Sequence, residues 1–475
     1  MNNKAINFIR NFSYSLSSNL ISMIISTLVI LVVPKLIGIK SYGYWQLYIF
    51  YSSYVGFLHF GWNDGIYLRY GGKEYKQLNK NLLFSQFWLL FLFEVLIGFV
   101  IVFTSTILKI EANKLFILKM TTLCMLIVNS ELMLNYILQC TNRIKEYAQI
   151  VMIEKILYCI LILLFLLIGI REYKLLITAD IIGKLISLIY ATYCCNEIVF
   201  RKIKNIYIDF KEIFENISVG IKLTFANIAG MLIIGIVRFS IERTWSVATF
   251  GKISLTLSIS NLVMVFINAI GVILFPILRR TDNKMLPSIF LTARTFLIVP
   301  ILGLLMVYFP LESILSAWLP QYTDSLKYMA ILFPMFIYEG KMALLISTYL
   351  KTLRKETIML TTNLLTVILS GILTILFTTV YKSLSLTIVS IILLLAFRSN
   401  LAELFLAKTL KVPIFKDAFL ELAMTIVFIL IGWFLKSWTG LILYLGVYVL
   451  YLLIKRKDIS ITFKNIKSLI RKAKN

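Results

Sequence analysis

The sequence has little charge for its length and few side chains suited to acid–base chemistry. Only 15% of its 475 residues are charged, and it contains one histidine, His59. A water-soluble domain carries about 25% charged residues. This shortage excludes a soluble enzyme, a disordered chain and a nucleic-acid-binding protein.

Cysteine is also scarce, and its arrangement predicts neither disulfides nor a metal site. The five cysteines lie in or beside apolar segments: Cys124, Cys140, Cys159, Cys194 and Cys195. Their number is odd and their spacing matches no zinc-ligand pattern. We therefore expect no metal and no other cofactor.

Acidic residues are half as frequent as basic ones, while apolar residues dominate. Lys and Arg number 48 against 23 Asp and Glu, a net charge of +25, and 60% of the chain is hydrophobic with a mean hydropathy of +0.88. These values predict an all-α polytopic membrane protein whose positive charge is concentrated in cytoplasmic loops.

About fourteen apolar stretches are long enough to cross a bilayer, whose hydrocarbon core of about 30 Å needs roughly 20 residues per helix. We predict spans at 12–34, 42–62, 82–108, 115–139, 148–170, 174–199, 216–240, 246–275, 287–309, 326–350, 356–380, 383–407, 415–435 and 438–454.

Basic residues recur on alternate loops, and this asymmetry predicts the orientation. Residues 69–80, 201–211 and 455–474 are rich in Lys and Arg, whereas the intervening loops are not. By the positive-inside rule both termini are cytoplasmic, in a bacterial plasma (inner) membrane. The basic amphipathic tail is expected to contact membrane lipids. The loops are too short for a soluble catalytic domain, so we expect no enzyme.

Two segments 208 residues apart are similar and indicate an internal repeat. Tyr42-Gly43-x-x-x-Leu47 corresponds to Phe250-Gly251-x-x-x-Leu255, and Asn19 corresponds to Asn227. Six spans separate the copies, so both enter the membrane in the same direction. We therefore predict parallel lobes at 1–200 (spans 1–6) and 201–411 (spans 7–12), followed by spans 13–14 and the tail at 412–475.

Small polar side chains form stripes on two of the predicted helices. The stripes comprise Ser15, Asn19, Ser22 and Ser26 on span 1, and Ser254, Ser258 and Asn261 on span 8. Such spacing places each set on one helix face. The stripes fit a hydrophilic wall that touches sugars; the alternative is helix–helix association through small polar groups.

Four cations at membrane depth have no obvious anionic partner in the sequence: Lys222, Arg238, Lys252 and Arg398. Charges inside spans usually face a cavity or a partner. A cluster of cations without matching anions fits an anionic substrate, whereas snorkelling or ion pairing would give each cation a structural role.

The boundary of the second span carries a family resemblance. Tyr42-Gly43-x-x-x-Leu47, followed by a stretch from Gly61 through Asp64 to Arg69 and Tyr70, resembles the polysaccharide transporter (O-antigen/oligosaccharide flippase) family. That family belongs to the multidrug/oligosaccharidyl-lipid/polysaccharide (MOP) exporter superfamily. Tyr42, Gly43, Gly61, Asp64 and Arg69 are the residues that match its motif.

The resemblance implies two six-helix lobes around a central cavity, with two additional C-terminal helices. It also implies a lipid-linked oligosaccharide substrate, such as an O-antigen, lipopolysaccharide, capsule or exopolysaccharide repeat unit on a polyprenyl pyrophosphate. The four cations are then expected to hold the pyrophosphate. A polysaccharide polymerase and glycosyltransferases are compatible partners.

Two other functions remain open at this stage. A cation-coupled multidrug exporter of the same superfamily would use intramembrane carboxylates such as Glu94, Glu131, Asp180 and Glu339. A membrane-embedded polysaccharide polymerase or glycosyltransferase would need a larger outer loop or an acidic site at the membrane face.

Overall fold

The computed structural model describes residues 3–202, 204, 206–279, 285–435 and 437–474, and in these ranges it is helical without a β-strand. The long helices are α1 (Asn3–Leu36), α2 (Ile39–Ser52), α4 (Lys80–Ile107), α5 (Ala112–Cys140), α6 (Ile144–Leu167), α7 (Tyr173–Cys194), α9 (Phe210–Thr244), α10 (Val247–Arg279), α11 (Leu286–Leu304), α12 (Tyr308–Trp318), α17 (Glu356–Ile375), α18 (Leu384–Leu410), α19 (Phe415–Phe434) and α20 (Ser437–Lys474). The shorter helices are α3 (Trp62–Tyr70), α8 (Asn196–Val199), α13 (Thr323–Leu326), α14 (Met329–Leu332), α15 (Met335–Gly340) and α16 (Ser347–Thr352).

Within the described ranges, 13 helical segments are long and apolar enough to cross a membrane. The prediction of an all-α, multi-pass membrane protein with about fourteen spans is therefore confirmed. α4 shows the expected outer surface, because Leu92, Leu96, Phe99 and Phe103 form an exposed apolar stripe at helical spacing. An exposed apolar surface of this kind is typical of contact with lipid.

The second predicted span, 42–62, is wrong as a continuous helix. α2 ends at Ser52, a short 3₁₀ turn covers Val55–Phe57, and α3 begins only at Trp62. Phe60 and Gly61 have positive φ angles of 49° and 86°, which an α-helix cannot accommodate. Irregular backbone at membrane depth is tolerated where it is buried in protein or lines a hydrophilic cavity.

The chain divides into two compact units, Met1–Ile228 and Ala229–Asn475. The division lies inside α9, whose first part belongs to unit 1 and whose second part belongs to unit 2. The predicted lobe boundaries at residues 200 and 411 stay a prediction.

In unit 1, α5 is the central helix and contacts α2, α3, α4 and α7. α1 packs along α6, and α6 packs along α7. The core at one end of the unit consists of residues from α3, α4, α5 and α8, including Ile66, Leu90 and Leu134. This packing holds the broken second span against α5.

In unit 2 the central segment is Met329–Thr352, the most completely buried of the candidate spans. It is interrupted by a π-helical stretch, Lys341–Ile346, between α15 and α16. It contacts α10, α11, α18 and α19, while α20 packs along α11 and α19. π-helical turns inside α-helices are often found at functional positions.

Candidate functional site: polar and charged groups at membrane depth

The glycines of the family motif allow two backbones of unit 1 to touch. A Cβ on Gly65 would lie 1.8 Å from the carbonyl oxygen of Asn216, and one on Gly220 would lie 1.9 Å from that of Gly61. Gly61 also needs its positive φ, which glycine adopts without strain. α3 therefore crosses the first part of α9 at a distance that only glycine permits.

Arg69 ties the same two helices together at one end of their crossing. Its guanidinium donates to Glu212 at 2.7 and 3.0 Å, to Glu215 at 2.6 Å and to Asn216 at 2.6 Å. Tyr70 donates a further hydrogen bond to Glu212 at 2.8 Å. The matched motif residue Arg69 is therefore engaged by carboxylates of its own unit.

The remaining motif residues are also held by neighbours in unit 1. Asp64 accepts hydrogen bonds from Thr224 on α9 and, at 3.4 Å, from Tyr136 on α5. His59 lies 4.0 Å from Asp64, and its Nδ1 accepts from the backbone of Gly61. These contacts fix the start of α3.

The tyrosines of α2 point to neighbouring helices and loops. Tyr42 is fully buried beside Gly43 and accepts a hydrogen bond from Gln46 at 2.9 Å. Tyr48 donates to Asp180 on α7 at 2.6 Å, and Tyr44 donates to Glu111 in the α4–α5 loop at 2.7 Å. The bond from Tyr44 lowers the pKa of the Glu111 carboxyl, because it stabilises the charged form.

Unit 2 contains a closed ring of four buried charges, here called the four-charge ring: Arg294, Lys341, Glu403 and Glu421. Glu403 accepts from Arg294 at 2.6 Å and from Lys341 at 2.9 Å. Glu421 accepts from the same two cations, at 3.1 Å and 2.6 Å. Each side chain is at most 2% exposed. The ring joins α11, the π-helical stretch, α18 and α19.

The ring extends towards α20 through a second pair of charges. Asp417 lies 3.7 Å from Arg294 and accepts from Lys455 of α20 at 2.7 Å. Lys341 also donates to Asn400 at 2.9 Å. Opposite charges alternate throughout, so these buried groups neutralise one another and fasten α19 and α20 to the rest of unit 2.

Of the predicted pyrophosphate ligands, Arg398 has an anionic partner that the sequence did not reveal. Its Nη1 donates to Glu339 on α15 at 3.0 Å, and its Nε donates to Asn363 on α17 at 2.9 Å. The premise that Arg398 lacks a matching anion is therefore wrong, because tertiary folding brings a carboxylate from 59 residues away.

The other predicted cations differ in environment. Arg238 of α9 donates to Ser254 of α10 at 3.0 Å and lies 5.3 Å from the ring centroid of Phe250. Lys252, on the same helix as Ser254, is partly exposed, and Lys222 is exposed in unit 1. Within unit 2 the structure thus brings Arg238 to the turn of α10 that carries Lys252.

The predicted sugar-lining residues are only partly buried. On α1, Asn19 and Ser26 are exposed and Ser22 is half-buried, while the side chain of Ser15 lies outside the described residues. On α10, Ser258 is half-buried and Asn261 is exposed. Ser254 is buried and already accepts the hydrogen bond from Arg238.

α1 has two separate exposed faces. At about 100° per residue, Asn19 and Ser26 project on a different side of the helix from Ile24 and Leu28, which are 55% and 45% exposed. An exposed polar face distinct from an exposed apolar face fits a helix with lipid on one side and a hydrophilic space on another.

No protein-family model matches the chain, and no curated protein sequence matches it significantly. Solved structures do. "Lipid II flippase MurJ, inward closed conformation" superposes with a TM-score of 0.64 at 14% identity, over 96% of this chain and 99% of that one. An inward-facing "multidrug resistance MATE family transporter of the MOP superfamily" gives 0.62 at 11% identity, over 83% and 99%.

The fold is that of MOP-superfamily transporters. The likeness extends over nearly the whole chain, so the superfamily in the sequence-based resemblance agrees with the fold. At this level of identity the comparison concerns the fold alone. The polysaccharide transporter family, and the roles of individual residues, stay predictions.

Sequence reasoning missed the four-charge ring of this MOP fold. Arg294 and Lys341 are visible in the sequence as cations within apolar spans, and Glu421 lies within span 13. A balance of opposite charges over several spans is the signal that could have revealed them, because unpaired charges are costly in a membrane. Their pairing requires helices distant in sequence and could not be derived from spacing.

Proposed function

We propose that this chain is a flippase for a polyprenyl-pyrophosphate-linked oligosaccharide, moved from the cytoplasmic to the outer leaflet by alternating access. It acts in the bacterial plasma membrane with both termini cytoplasmic, alongside the polymerase and glycosyltransferases that consume and supply its substrate. The O-antigen, capsule and exopolysaccharide repeat units are candidate cargoes.

The observation that carries the proposal is uncompensated positive charge on membrane-spanning helices. Lys222 and Lys252 lie in segments that are long and apolar enough to span. Neither makes an ion pair with the residues that the structure describes. A phosphate-bearing lipid would supply the missing anion through charge-assisted hydrogen bonds. Arg238, beside Lys252, adds a guanidinium that can engage phosphate in a bidentate manner.

Two further observations support this assignment. The polar face of α1, with Asn19, Ser22 and Ser26, offers hydroxyls and amides to a sugar. The chain also shares its fold with a structure described as a lipid II flippase. No hydrolytic group is required, because the substrate is moved and not cleaved.

Complementation of a flippase-null strain tests the function. Deletion of the gene should leave the lipid-linked oligosaccharide on the cytoplasmic side of the membrane and remove surface polysaccharide. If synthesis of the lipid-linked unit stops instead, the chain is a membrane enzyme. If the purified protein exports cationic drugs and leaves the lipid-linked unit in place, the multidrug exporter is correct.

Substitution of the cations tests the site. Charge-assisted hydrogen bonds contribute about 1.5–3 kcal/mol each, so Lys222→Ala, Arg238→Ala or Lys252→Ala should weaken substrate retention by about 10- to 150-fold. Lys222→Arg and Lys252→Arg should keep partial activity. Arg398→Ala should also lower the amount of protein, because it leaves Glu339 without its cation. Full activity of the three alanine variants at normal membrane levels would place the pyrophosphate elsewhere.

Cysteine labelling from outside the cell tests the orientation. Glu111→Cys and Thr323→Cys should react with an impermeant reagent, whereas Ile206→Cys and Lys411→Cys should react only after the membrane is permeabilised. External labelling at position 206 would contradict the proposed topology.

A further inference from the structure

A carboxylate without a counter-charge is buried beside the break in the second predicted span. Glu94, on α4, is 0% exposed. Its Oε1 accepts a hydrogen bond from Nδ2 of Asn129 at 2.8 Å. Its Oε2 is buried and has no hydrogen-bond partner among the described residues. No Lys, Arg or His nitrogen in the described ranges lies within ion-pairing distance of it.

Two amide oxygens near this carboxylate are also without donors. Asn129 donates from Nδ2 to Glu94 and, at 3.0 Å, to the backbone carbonyl of Val55 in the break. Asn63, at the start of α3, donates to the backbone carbonyl of Asn129 at 2.9 Å. The Oδ1 atoms of Asn129 and Asn63 are buried and unpartnered within the described chain. We call Glu94, Asn129 and Asn63 the Glu94 cluster.

The orientation of the Asn129 amide is fixed by its surroundings. Turning the amide over would place its oxygen against two acceptors, Oε1 of Glu94 and the carbonyl of Val55. The unpartnered atoms of the cluster are therefore all oxygens: Oε2 of Glu94, Oδ1 of Asn129 and Oδ1 of Asn63. A cluster of acceptors without a donor has affinity for positive charge.

The titratable groups on the neighbouring elements have other partners. On α5, Glu131 accepts from Asn135 at 3.0 Å and from Ser187 of α7. In the break and on α3, His59 lies beside Asp64. On α8, Glu197 pairs with Lys80, at the far end of α4 from Glu94. None of these groups is within ion-pairing distance of Glu94, so none supplies its missing charge.

We propose that the Glu94 cluster binds one small monovalent cation, either a proton or Na⁺, through the unpartnered oxygens. An isolated ionised carboxylate in an apolar interior is so unfavourable that it must be neutralised by a proton or a bound cation. One carboxylate balances one positive charge. Broken membrane helices commonly hold such ions, because their unwound backbone carbonyls add ligands.

Occupancy of the cluster would act on the break itself. Asn129 is hydrogen-bonded at once to Glu94, to Val55 and, through its backbone carbonyl, to Asn63. A cation on Glu94 changes the acceptor strength of the carboxylate that shares the Asn129 amide with Val55. Use of this ion to drive translocation rests on the proposed function, whereas binding of the ion does not.

The test uses the purified full-length protein in lipid nanodiscs without substrate. Retention of radioactive ²²Na⁺ at neutral pH is measured against competing K⁺, and infrared difference spectra report a protonated carboxyl group in H₂O and D₂O. Wild type should show either saturable Na⁺ retention or a protonated carboxyl band. Glu94→Gln should lose whichever signal is present, since its amide mimics the neutralised carboxyl and supplies the missing donor.

Glu131→Gln is the matched control, because Glu131 is a buried carboxylate whose two oxygens both have donors. It should keep the wild-type signal. Glu94→Asp provides a second variant if Glu94→Gln does not fold; its shorter carboxylate should weaken Na⁺ binding or shift the carboxyl titration. The proposal is overturned if wild type gives neither signal, if Glu131→Gln removes it, or if both Glu94 variants leave it unchanged.

These outcomes are independent of transport. Loss of the cation signal with intact movement of lipid-linked oligosaccharide would reject the cation site alone. A normal cation signal in a protein that moves no lipid-linked substrate would reject the proposed function alone.

Discussion

In unit 2 the buried charges of four elements close into the four-charge ring, whereas in unit 1 Glu94 is buried with no cation beside it. Both are carboxylate sites at membrane depth, and both are inaccessible to solvent. The ring contains its own counter-charges, because Glu403 and Glu421 each accept from Arg294 and Lys341. The Glu94 cluster has only amides.

This difference separates structural charge from charge that needs a ligand. A balanced and fully hydrogen-bonded set of buried charges fastens helices but attracts nothing further. An isolated carboxylate leaves a requirement that something outside the chain must meet. Unit 1 joins its helices chiefly by other means, through the glycine crossing of α3 and α9 and through Arg69.

Breaking the four-charge ring should have the largest effect. Glu421→Gln removes one anion and leaves the cations Arg294 and Lys341 sharing Glu403. Removing one partner of a buried pair typically costs about 3–5 kcal/mol, so a large fall in the melting temperature of the purified protein is expected. Adding Lys341→Met restores the balance and should recover part of the loss. Equal melting of wild type and Glu421→Gln would show that the ring does not fasten α19.

Adding one methyl group at the glycine crossing should come next. Gly65→Ala places a Cβ against the backbone of Asn216, which cannot move away as a side chain could. Overpacking of this kind costs about 1–3 kcal/mol or more. Gly56→Ala is the matched control, because no atom lies within 4 Å of its added Cβ. Similar thermal stability of the two variants would contradict the close crossing.

The two buried glutamates of unit 1 should respond differently to the same substitution. Glu131→Gln replaces an acceptor oxygen that faces donors and should cost about 1–3 kcal/mol. Glu94→Gln keeps the acceptor for Asn129 and adds a donor, so its stability should equal or exceed that of wild type. Thermal unfolding of both proteins at neutral pH decides this, and a larger loss for Glu94→Gln would reverse the comparison.

The smallest effect is expected at Arg69, which is 26% exposed. Arg69→Lys keeps the charge but cannot engage Glu212 and Glu215 together. Partly exposed ion pairs contribute little, so a loss of about 0.2–1 kcal/mol is expected. Arg69→Ala serves as the reference for complete removal of the clamp. A loss as large as that of Glu421→Gln would mean that unit 1 also depends on ionic fastening.

The amino-acid sequence by itself was sufficient for the fold class. Apolar stretches of about 20 residues, few charges and alternating basic loops predict an all-α multi-pass protein, since a bilayer requires each crossing segment to satisfy its own backbone hydrogen bonds. The motif from Gly61 to Arg69 also marks a real feature, the crossing of α3 with α9. The pairing of Asp180 with Lys184 was readable too, because residues four apart share a helix face.

Only the tertiary structure decided which polar groups have partners. Arg398 meets Glu339 across 59 residues, and Arg294 meets Glu421 across 127. It also decided that the second span is broken and that Glu94 lies beside the break without a counter-charge. Sequence spacing reports neighbours on one helix face, whereas an ion pair or an orphaned oxygen depends on several helices converging at a point. That convergence is set by packing and is encoded in no single segment.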